Sequence, residues 1–216
     1  MLISERKPKS IEAEAYKTLR TNIQYSSIGK KIHTLVITSS ESKEGKSTVC
    51  ANLGVTFSQS GQSVVIMDCD FRKPSLHKFF NISNSEGITD LLAAEKKLDE
   101  ITHRYNDKIS ILTAGKIPPN PSEILGSDCM KNLLNYLSGI YDIVLVDSPP
   151  VGVVTDAQVL SAEADGTLFV VKAEETKSKR VVESINLLKN VNANIIGIVL
   201  NGFNDINKKY KGYYRK

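Results

Sequence analysis

The feature that most constrains the fold of this chain is an apolar segment that leads directly into a Gly-Lys-Ser-Thr turn. Residues 34–48 read Thr-Leu-Val-Ile-Thr-Ser-Ser-Glu-Ser-Lys-Glu-Gly-Lys-Ser-Thr. A helix that begins at such a turn presents N–H groups without helical partners, and these groups bind phosphate. Lys46 is placed to reach the β- and γ-phosphates, and the Ser47 hydroxyl to bind Mg²⁺. We therefore expect a site for a nucleoside triphosphate, against the alternative of an ordinary strand-to-helix turn.

The predicted phosphate loop differs from the standard motif in its glycine content. Ser40 takes the place of the usual first glycine, and Glu41-Ser42-Lys43-Glu44 fills the interior of the loop. Polar residues adopt the turns of such a loop less readily than glycine does. Lys43 and Glu44 also bring charge close to the phosphates. For Lys43, two interpretations stay open: neutralisation of the phosphates, or exposure to solvent.

Short apolar runs alternate with helical patterns along most of the chain. Such runs are typical of strands that have helices on both faces of a parallel sheet. The sequence predicts strands at Leu35–Ile37, Val64–Met67, Ile109–Thr113, Ile143–Val146, Leu168–Val171 and Ile195–Leu200, and helices over 46–60, 127–139, 155–163 and 177–190. The expected fold is a single α/β domain, a doubly wound and mostly parallel sheet with ligands beyond the C-terminal strand ends. Pro118, Pro119 and Pro121 predict an ordered surface loop rather than a helix.

Three aspartates are expected at the same edge of this sheet. Asp68 and Asp70 follow the second strand, and Asp147 ends the strand that leads into Ser-Pro-Pro. Carboxylates beside a phosphate loop indicate a cation between them and the triphosphate, and Mg²⁺ takes this place in phosphoryl transfer. One of the acids can also accept a proton from the attacking group. The alternative is structural, with Asp68 and Asp70 capping a helix or pairing with Arg72 and Lys73.

The end of the last predicted strand offers a contact for the base of the nucleotide. Residues 199–203 read Val-Leu-Asn-Gly-Phe, and the amide of Asn201 can donate and accept hydrogen bonds at an adenine edge. A polar residue that only terminates the strand is the alternative. The expected nucleotide-binding residues are Glu44, Gly45, Lys46, Ser47, Thr48, Asn201 and Phe203.

Composition and charge limit the class of protein. The net charge of +4 is too small to indicate nucleic-acid binding on its own. Cys50, Cys69 and Cys129 are odd in number and widely spaced, as expected for free, mostly buried thiols in a reducing compartment. No apolar run approaches the ~18 residues of a membrane helix, and the N-terminus lacks the apolar part of a signal peptide. We expect a cytoplasmic protein that binds no nucleic acid.

Residues 11–25 predict an amphipathic helix near the N-terminus. Its apolar residues recur at helical spacing, and the opposite face carries Glu14, Lys17 and Arg20. Plain solvation is the usual role of such a charged face. The alternative is a contact between subunits, in which Glu14 pairs with a basic residue of a neighbouring copy.

The C-terminus is basic and rich in tyrosine. Residues 203–216 contain five Lys or Arg residues and one acid, and Tyr210, Tyr213 and Tyr214 fall within the last seven positions. The segment has almost no aliphatic residues, so we expect a mobile arm. Phosphorylation would add about −1.5 to −2 charges to each tyrosine and offset the positive charge. An RNA- or lipid-binding tail, and a solubilising end without a role, are the alternatives.

Taken together, these motifs closely resemble the bacterial tyrosine autokinases that regulate capsular and exopolysaccharide synthesis. The resemblance covers nearly the whole chain. Its motifs are Glu14-Ala-Tyr-Lys-Thr-Leu-Arg-Thr-Asn, Gly45-Lys-Ser-Thr with Ala51-Asn-Leu, Asp68-Cys-Asp-Phe-Arg-Lys-Pro, Pro118-Pro-Asn-Pro-Ser-Glu, Asp147-Ser-Pro-Pro and the tyrosine tail. We accordingly expect an oligomerisation helix (1–30), a P-loop kinase domain (31–203) and a tail (204–216).

The resemblance also implies an activity, cofactors and partners. The activity is phosphoryl transfer from ATP to the tail tyrosines, with Mg²⁺ as cofactor. The residues implied in catalysis are Lys46 for the phosphates, Ser47, Asp70 and Asp147 for Mg²⁺, and Asp68 as the base. Copies would assemble in a ring through the charged face of the N-terminal helix, with one subunit's tail in its neighbour's site. The implied partners are a separate membrane activator, which brings the kinase to the inner face of the membrane, and a cognate tyrosine phosphatase.

The chain departs from the family pattern at two positions, and two alternatives remain. Ser42-Lys43 stands where Pro-Gly is usual, and Lys17 where an arginine is usual, which weakens any bidentate contact there. The first alternative is a non-kinase ATPase switch of the division-site-positioning or partitioning type. Those proteins carry a signature lysine five residues before the P-loop lysine, where this chain has Glu41. The second alternative is an inactive nucleotide-binding adaptor.

Overall fold

The structure is a computed structural model that describes residues 2–26 and 31–203. A sheet of seven strands lies at the centre of this part of the chain. The strands are β1 (Thr34–Ser39), β2 (Val64–Asp68), β3 (Thr102–Arg104), β4 (Ile109–Leu112), β5 (Ile143–Asp147), β6 (Gly166–Lys172) and β7 (Ile195–Asn201). The helices are α1 (Ile3–Arg6), α2 (Ile11–Ser26), α3 (Lys46–Gln59), α4 (Leu76–Phe80), α5 (Ile88–Leu92), α6 (Leu98–Ile101), α7 (Pro121–Leu125), α8 (Asp128–Ile140), α9 (Asp156–Glu163) and α10 (Ser178–Asn190).

The order of the strands places the N-terminal strand near the middle of the sheet. The order is β3-β4-β2-β5-β1-β6-β7, and every neighbouring pair is parallel except β3 and β4. Strand β1 therefore ends between β5 and β6, at the edge where ligands of doubly wound sheets bind. The predicted α/β fold with a mostly parallel sheet is confirmed.

The continuous apolar runs of β1, β2, β4, β5 and β6 follow from burial on both faces of the sheet, whereas β7, at the sheet edge, is only partly buried. In β2, Val64 and Ile66 pack in the same core as Leu53 of α3, whereas Val65 and Met67 pack in the core on the opposite face. All five residues of β2 are buried. An alternating apolar and polar pattern would bury the polar side chains of such a strand in one of the two cores.

Short elements are where the sequence prediction was incomplete. The antiparallel strand β3 and the helices α1, α4, α5, α6 and α7 have three to five residues each, too few to show a period. The interpretation of residues 118–121 as a loop was wrong at its last residue, because α7 begins at Pro121. Proline is well tolerated at the first position of a helix, where its missing N–H group is not needed.

The N-terminal segment is fastened to α3 by side-chain hydrogen bonds. The N–H group of Ser4 donates to Oδ1 of Asn52, and Nε2 of Gln59 donates to the carbonyl of Ser4. The predicted helix over 11–25 is observed as α2, and Nη1 of Arg20 donates to the carbonyl of Thr56 at 3.0 Å. Among the helices of the described ranges, none has the length and apolar character needed to cross a membrane.

Candidate nucleotide site

The predicted phosphate loop lies at the C-terminal end of β1, where β1 ends at Ser39 and α3 begins at Lys46. Gly45 has a φ of 94°, and a Cβ atom at this position would lie 2.0 Å from Nδ2 of Asn201. Glycine suits this position, because it adopts the left-handed backbone without steric cost and because a side chain here would displace the amide of Asn201. The last glycine of the motif therefore has a structural role.

Lys43 also has a left-handed backbone, with a φ of 68°, and its side chain is exposed. The left-handed conformation strains an L-residue by roughly 1–2 kcal/mol, and the greater flexibility of glycine offsets part of this difference. We expect Lys43→Gly to raise the free energy of unfolding by up to ~1 kcal/mol, or Tm by ~2–4 °C, in thermal unfolding. Lys43→Ala is the matched control, since it removes the same charge but keeps the strain. An equal gain in both variants would contradict this explanation.

Glu44 is turned into the protein and has fixed partners. Its side chain is buried, with 4% of the residue exposed. Oε2 accepts a hydrogen bond from the N–H group of Glu41 at 2.9 Å, and Oε1 accepts one from the hydroxyl of Thr176. The carboxylate therefore stabilises the phosphate loop from inside the protein. Its two donors offset the negative charge that Glu44 was expected to bring close to the phosphates.

Asn201 contacts the phosphate loop at the end of β7. Its Nδ2 donates to the carbonyl of Glu44 at 2.9 Å. Phe203, two residues further on, is 56% exposed. The amide therefore does more than terminate a strand, although its predicted contact with adenine remains a prediction.

Lys46, the first residue of α3, pairs with an acid of the β2 loop. Its Nζ lies 2.9 Å from Oδ2 of Asp70, and both side chains are largely buried. Burial alone would lower the pKa of Lys46, but the charges of Asp147, Asp70 and Asp68 raise it above its ordinary value. The ammonium group is therefore charged and lies among the predicted catalytic acids.

The two carboxylate oxygens of Asp68 have different surroundings, one that suits the structural role considered for this residue and one that suits the functional role. Oδ2 accepts hydrogen bonds from the N–H groups of Ser75 and Leu76 at 2.8 and 2.9 Å, so that this oxygen caps the start of α4. Oδ1 is buried without a hydrogen-bond partner among the described residues. Burial, and next the charge of Asp147, raises the pKa of Asp68 above that of an ordinary aspartate.

Asp147 lies beside Asp68 in the adjacent strand and is fully buried. Burial raises the pKa of Asp147, whereas Lys46 and the Ser47 hydroxyl act in the opposite direction. Ser47 lies close enough to lower this pKa, yet no hydrogen bond of ordinary geometry reaches either carboxylate oxygen from the described residues. Buried carboxylate oxygens without donors indicate a place for a cation.

The donors present fit a cation that is bound partly by a nucleotide. In the described part of the chain, no group of three or more His, Cys, Asp or Glu side chains is arranged to hold a metal by itself. Mg²⁺ does not need such a cage, since in kinases and ATPases it takes one or two protein oxygens and completes its shell with phosphates and water. Ser47, Asp70 and Asp147 offer oxygens of the right type.

An ion pair that the sequence analysis missed joins three segments beside these acids. Arg72 donates from Nε and Nη2 to the two carboxylate oxygens of Asp156, at 3.0 and 3.1 Å, and Ser122 donates to the same carboxylate at 2.6 Å. Asp156 is fully buried, and it occupies the first position of α9. The structural alternative had Arg72 as a partner for Asp68 or Asp70, but its observed partner lies 84 residues away in sequence. Nothing local in the sequence marks this pair.

Glu14 and Lys17, two of the other predicted residues, lie on α2 rather than at the phosphate loop. On α2, Nζ of Lys17 pairs with Glu14 at 2.6 Å and donates to the carbonyl of Pro8. Thr48 lies in the first turn of α3. Tyr210, Tyr213 and Tyr214 lie outside the described residues, so their position relative to the site stays a prediction.

Comparison with known proteins finds similar sequences over nearly the whole chain. The family model of ParA, described as the NUBPL iron-transfer P-loop NTPase, matches residues 30–211. Tyrosine-protein kinase YwqD of Bacillus subtilis (strain 168) is 36% identical over 214 residues, which are 99% of this chain and 90% of that protein.

Solved structures show the same similarity. The kinase domain of Escherichia coli tyrosine kinase ETK superposes with a TM-score of 0.91 at 31% identity, covering 95% of this chain and 81% of that chain. The crystal structure of the chimeric protein CapA2B2 superposes with a TM-score of 0.89 at 36% identity, covering 94% of this chain and 89% of that chain.

Proposed function

The chain belongs to the bacterial tyrosine-protein kinases, which share the ParA-type P-loop NTPase fold, and we propose that it phosphorylates tyrosines of its own C-terminal segment. The observation that carries this proposal is the group of buried acids around Lys46, at the end of a phosphate loop. Phosphoryl transfer depends mainly on position and on charge neutralisation, which such a group supplies.

ATP and Mg²⁺ are the ligands that suit these residues. Lys46 and the N–H groups at the start of α3 would bind the phosphates, and Asn201 with Phe203 would contact the base. Ser47, Asp70 and Asp147 would hold Mg²⁺, which when bound neutralises the charge that develops on the β- and γ-phosphates. On nucleotide binding, Lys46 exchanges part of its contact with Asp70 for the phosphates.

Asp68 is the group best placed to accept the proton of the tyrosine. A tyrosine hydroxyl with a pKa near ~10 is a poor nucleophile at neutral pH. The N–H groups of Ser75 and Leu76 hold one oxygen of Asp68 and fix the carboxylate, which leaves Oδ1 for the proton. Its raised pKa makes Asp68 a better acceptor than an ordinary aspartate.

The acceptor tyrosines define the first experiment. The purified chain, with an activator peptide present, is incubated with Mg²⁺ and γ-labelled ATP, and label on the protein is measured. Replacing Tyr210, Tyr213 and Tyr214 by Phe is expected to remove more than ~90% of the label, because phenylalanine cannot accept a phosphoryl group. Tyr25→Phe and Tyr136→Phe are matched controls, since these tyrosines are 79% and 58% exposed but lie on helices α2 and α8. Label that persists in the triple variant would contradict phosphorylation of the tail.

Transfer between copies is tested by mixing two variants. One copy carries Lys46→Met and an intact tail, and the other has an intact site and the three Phe replacements. If one subunit's tail enters its neighbour's site, the Lys46→Met copy becomes labelled. Unlabelled mixtures, together with a labelled wild-type chain, would show that transfer stays within one chain.

Assembly into a ring is proposed through α2. Glu14 and Lys17 lie on its charged face, where they are about one-third exposed and pair with each other. A neighbouring copy can compete for this pair, because an exposed ion pair contributes little to the stability of one chain. Arg20 already holds α2 to α3 through Thr56, so it would orient the contact surface as well as bind a neighbour.

The cellular role is part of the same proposal. As the family resemblance implies, a separate membrane activator would recruit the kinase to the inner face of the membrane. A cognate phosphatase would reset the tail tyrosines, and capsular or exopolysaccharide synthesis would be the regulated process. Nucleic acid is not expected as a partner.

A non-kinase ATPase switch is the second candidate, because the ParA family model matches residues 30–211. Glu41, which pairs with Arg180 at 3.4 Å, stands where the signature lysine of such switches is expected. The labelling experiment separates the two candidates. Release of free phosphate without label on the protein would favour the switch.

A further inference from the structure

We propose that Thr176 is a positioning residue for nucleotide binding, because its hydroxyl holds the carboxylate of Glu44 inside the phosphate loop. Thr176 lies in the segment between β6 and α10, 132 residues from Glu44 in sequence. The inference rests on the proposed nucleotide site and assigns a role to a residue outside its motifs.

Glu44 needs both of its donors. The loop between Ser39 and Lys46 contains one glycine, at position 45, so its shape depends on side chains more than that of a glycine-rich loop does. The N–H group of Glu41 and the hydroxyl of Thr176 each occupy one carboxylate oxygen of Glu44. A buried carboxylate is tolerated when such donors satisfy it, and it becomes unfavourable when one of them is lost.

Thr176 is itself held in place by the sheet. Its Oγ1 accepts a hydrogen bond from the N–H group of Lys172, at the end of β6, and its own N–H group donates to the carbonyl of Lys172. Ala173, which follows Lys172 in sequence, donates from its N–H group to the carbonyl of Asn201 at 2.8 Å. Two strand ends thus converge on Glu44, since Asn201 donates to its carbonyl while Thr176 donates to its side chain.

This arrangement keeps a negative charge away from the nucleotide phosphates. With both oxygens engaged, the carboxylate of Glu44 faces the interior, and the loop can direct its N–H groups to the ligand. Without the hydroxyl of Thr176, one buried oxygen loses its donor, and the carboxylate has to move toward water or toward other N–H groups of the loop. Either movement weakens triphosphate binding.

The test is equilibrium binding of ATP with Mg²⁺ to the full chain by calorimetry, together with thermal unfolding, KM and kcat. Thr176→Val is expected to raise the Kd and KM for ATP about tenfold, because a hydrogen bond to a charged group is lost. The kcat at saturating ATP is expected to stay within about twofold, and Thr176→Ser to restore binding. Thr102→Val is the matched control, since the Thr102 hydroxyl donates to a carbonyl of α6 at the opposite edge of the sheet.

A double-mutant cycle tests whether Thr176 acts through Glu44. In a Glu44→Gln background, Thr176→Val is expected to change the Kd by less than about threefold, because no charged acceptor remains. Wild-type affinity in Thr176→Val, the same loss in Thr102→Val, failure of Thr176→Ser to restore binding, or an undiminished effect in the Gln background would each overturn the inference. ATP binding without tyrosine transfer would overturn only the proposed kinase function, whereas absence of ATP binding to the wild-type chain would overturn both.

Discussion

Lys46→Met is expected to lower tyrosine transfer by at least ~10³-fold and to abolish measurable ATP binding. Removal of one group that stabilises transition-state charge typically lowers the rate by ~10²–10³-fold, and here the ground-state contact with the phosphates is lost as well. Methionine keeps most of the side-chain volume, so the change removes the charge and little else. Label on the tail and the Kd for ATP measure the two effects separately.

Lys43→Met is the matched control for this prediction. It makes the same chemical change three residues earlier in the same loop, but Lys43 is exposed, whereas Nζ of Lys46 lies 2.9 Å from Asp70. We expect Lys43→Met to retain transfer within about threefold. Similar losses in both variants would show that the loop responds to its total charge, and would contradict the specific role of Lys46.

Lys46→Met is also expected to destabilise the nucleotide-free protein. Its ammonium group is the charged partner of Asp70, a carboxylate that is almost fully buried and whose other oxygen accepts from the N–H group of Lys73. A buried acid that loses its opposite charge either destabilises the fold or takes up a proton. Thermal unfolding should therefore accompany the binding assay. A chain that remains folded at the assay temperature yet binds no ATP assigns the loss to the site.

The central sheet could be predicted from sequence because its strands obey a local rule. A strand covered on both faces is apolar at most of its positions, and β2 and β5 satisfy this over all their residues except the terminal aspartates. The phosphate loop was equally predictable, since its strand, turn and helix are consecutive. The helices of four or five residues were not, because their ends are set by contacts such as that of Asp68 with Ser75 and Leu76.

The site was predictable only where its residues follow strand ends. Asp68, Asp70 and Asp147 end or follow strands, and the sheet brings them to Lys46 as expected. The partners of Glu44 and Arg72 were not predictable, because Thr176 and Asp156 lie 132 and 84 residues away and carry no motif of their own. Such contacts depend on how the loops pack above the sheet.

Asp147→Asn is expected to abolish activity and at the same time to stabilise the nucleotide-free protein. Both oxygens of Asp147 are buried without a hydrogen bond of ordinary geometry from the described residues, and its neighbour Asp68 is an acid whose Oδ1 is equally unpaired. An asparagine removes one charge and supplies an amide donor beside that oxygen. We expect kcat to fall by at least ~10²-fold, while Tm rises by ~2–4 °C, equivalent to about 1 kcal/mol in a chain of this size. Activity and stability often oppose each other in this way at functional sites.

The raised pKa of Asp147 also predicts how the stability of the protein changes with pH. Because burial raises the pKa of Asp147 to about 6 on folding, this carboxyl group binds more protons in the folded chain than in the unfolded chain. The contribution of Asp147 to the free energy of unfolding therefore falls as the pH rises from ~3.9, the ordinary pKa of aspartate, to about 6. Asp147→Asn should flatten this decline, whereas Asp142→Asn should destabilise the protein, since hydrogen bonds from Ser63 lower the pKa of Asp142. A Tm that falls in Asp147→Asn, or the same pH profile in both variants, would show that the acids at the phosphate loop are not held in the unfavourable charged state that their burial indicates.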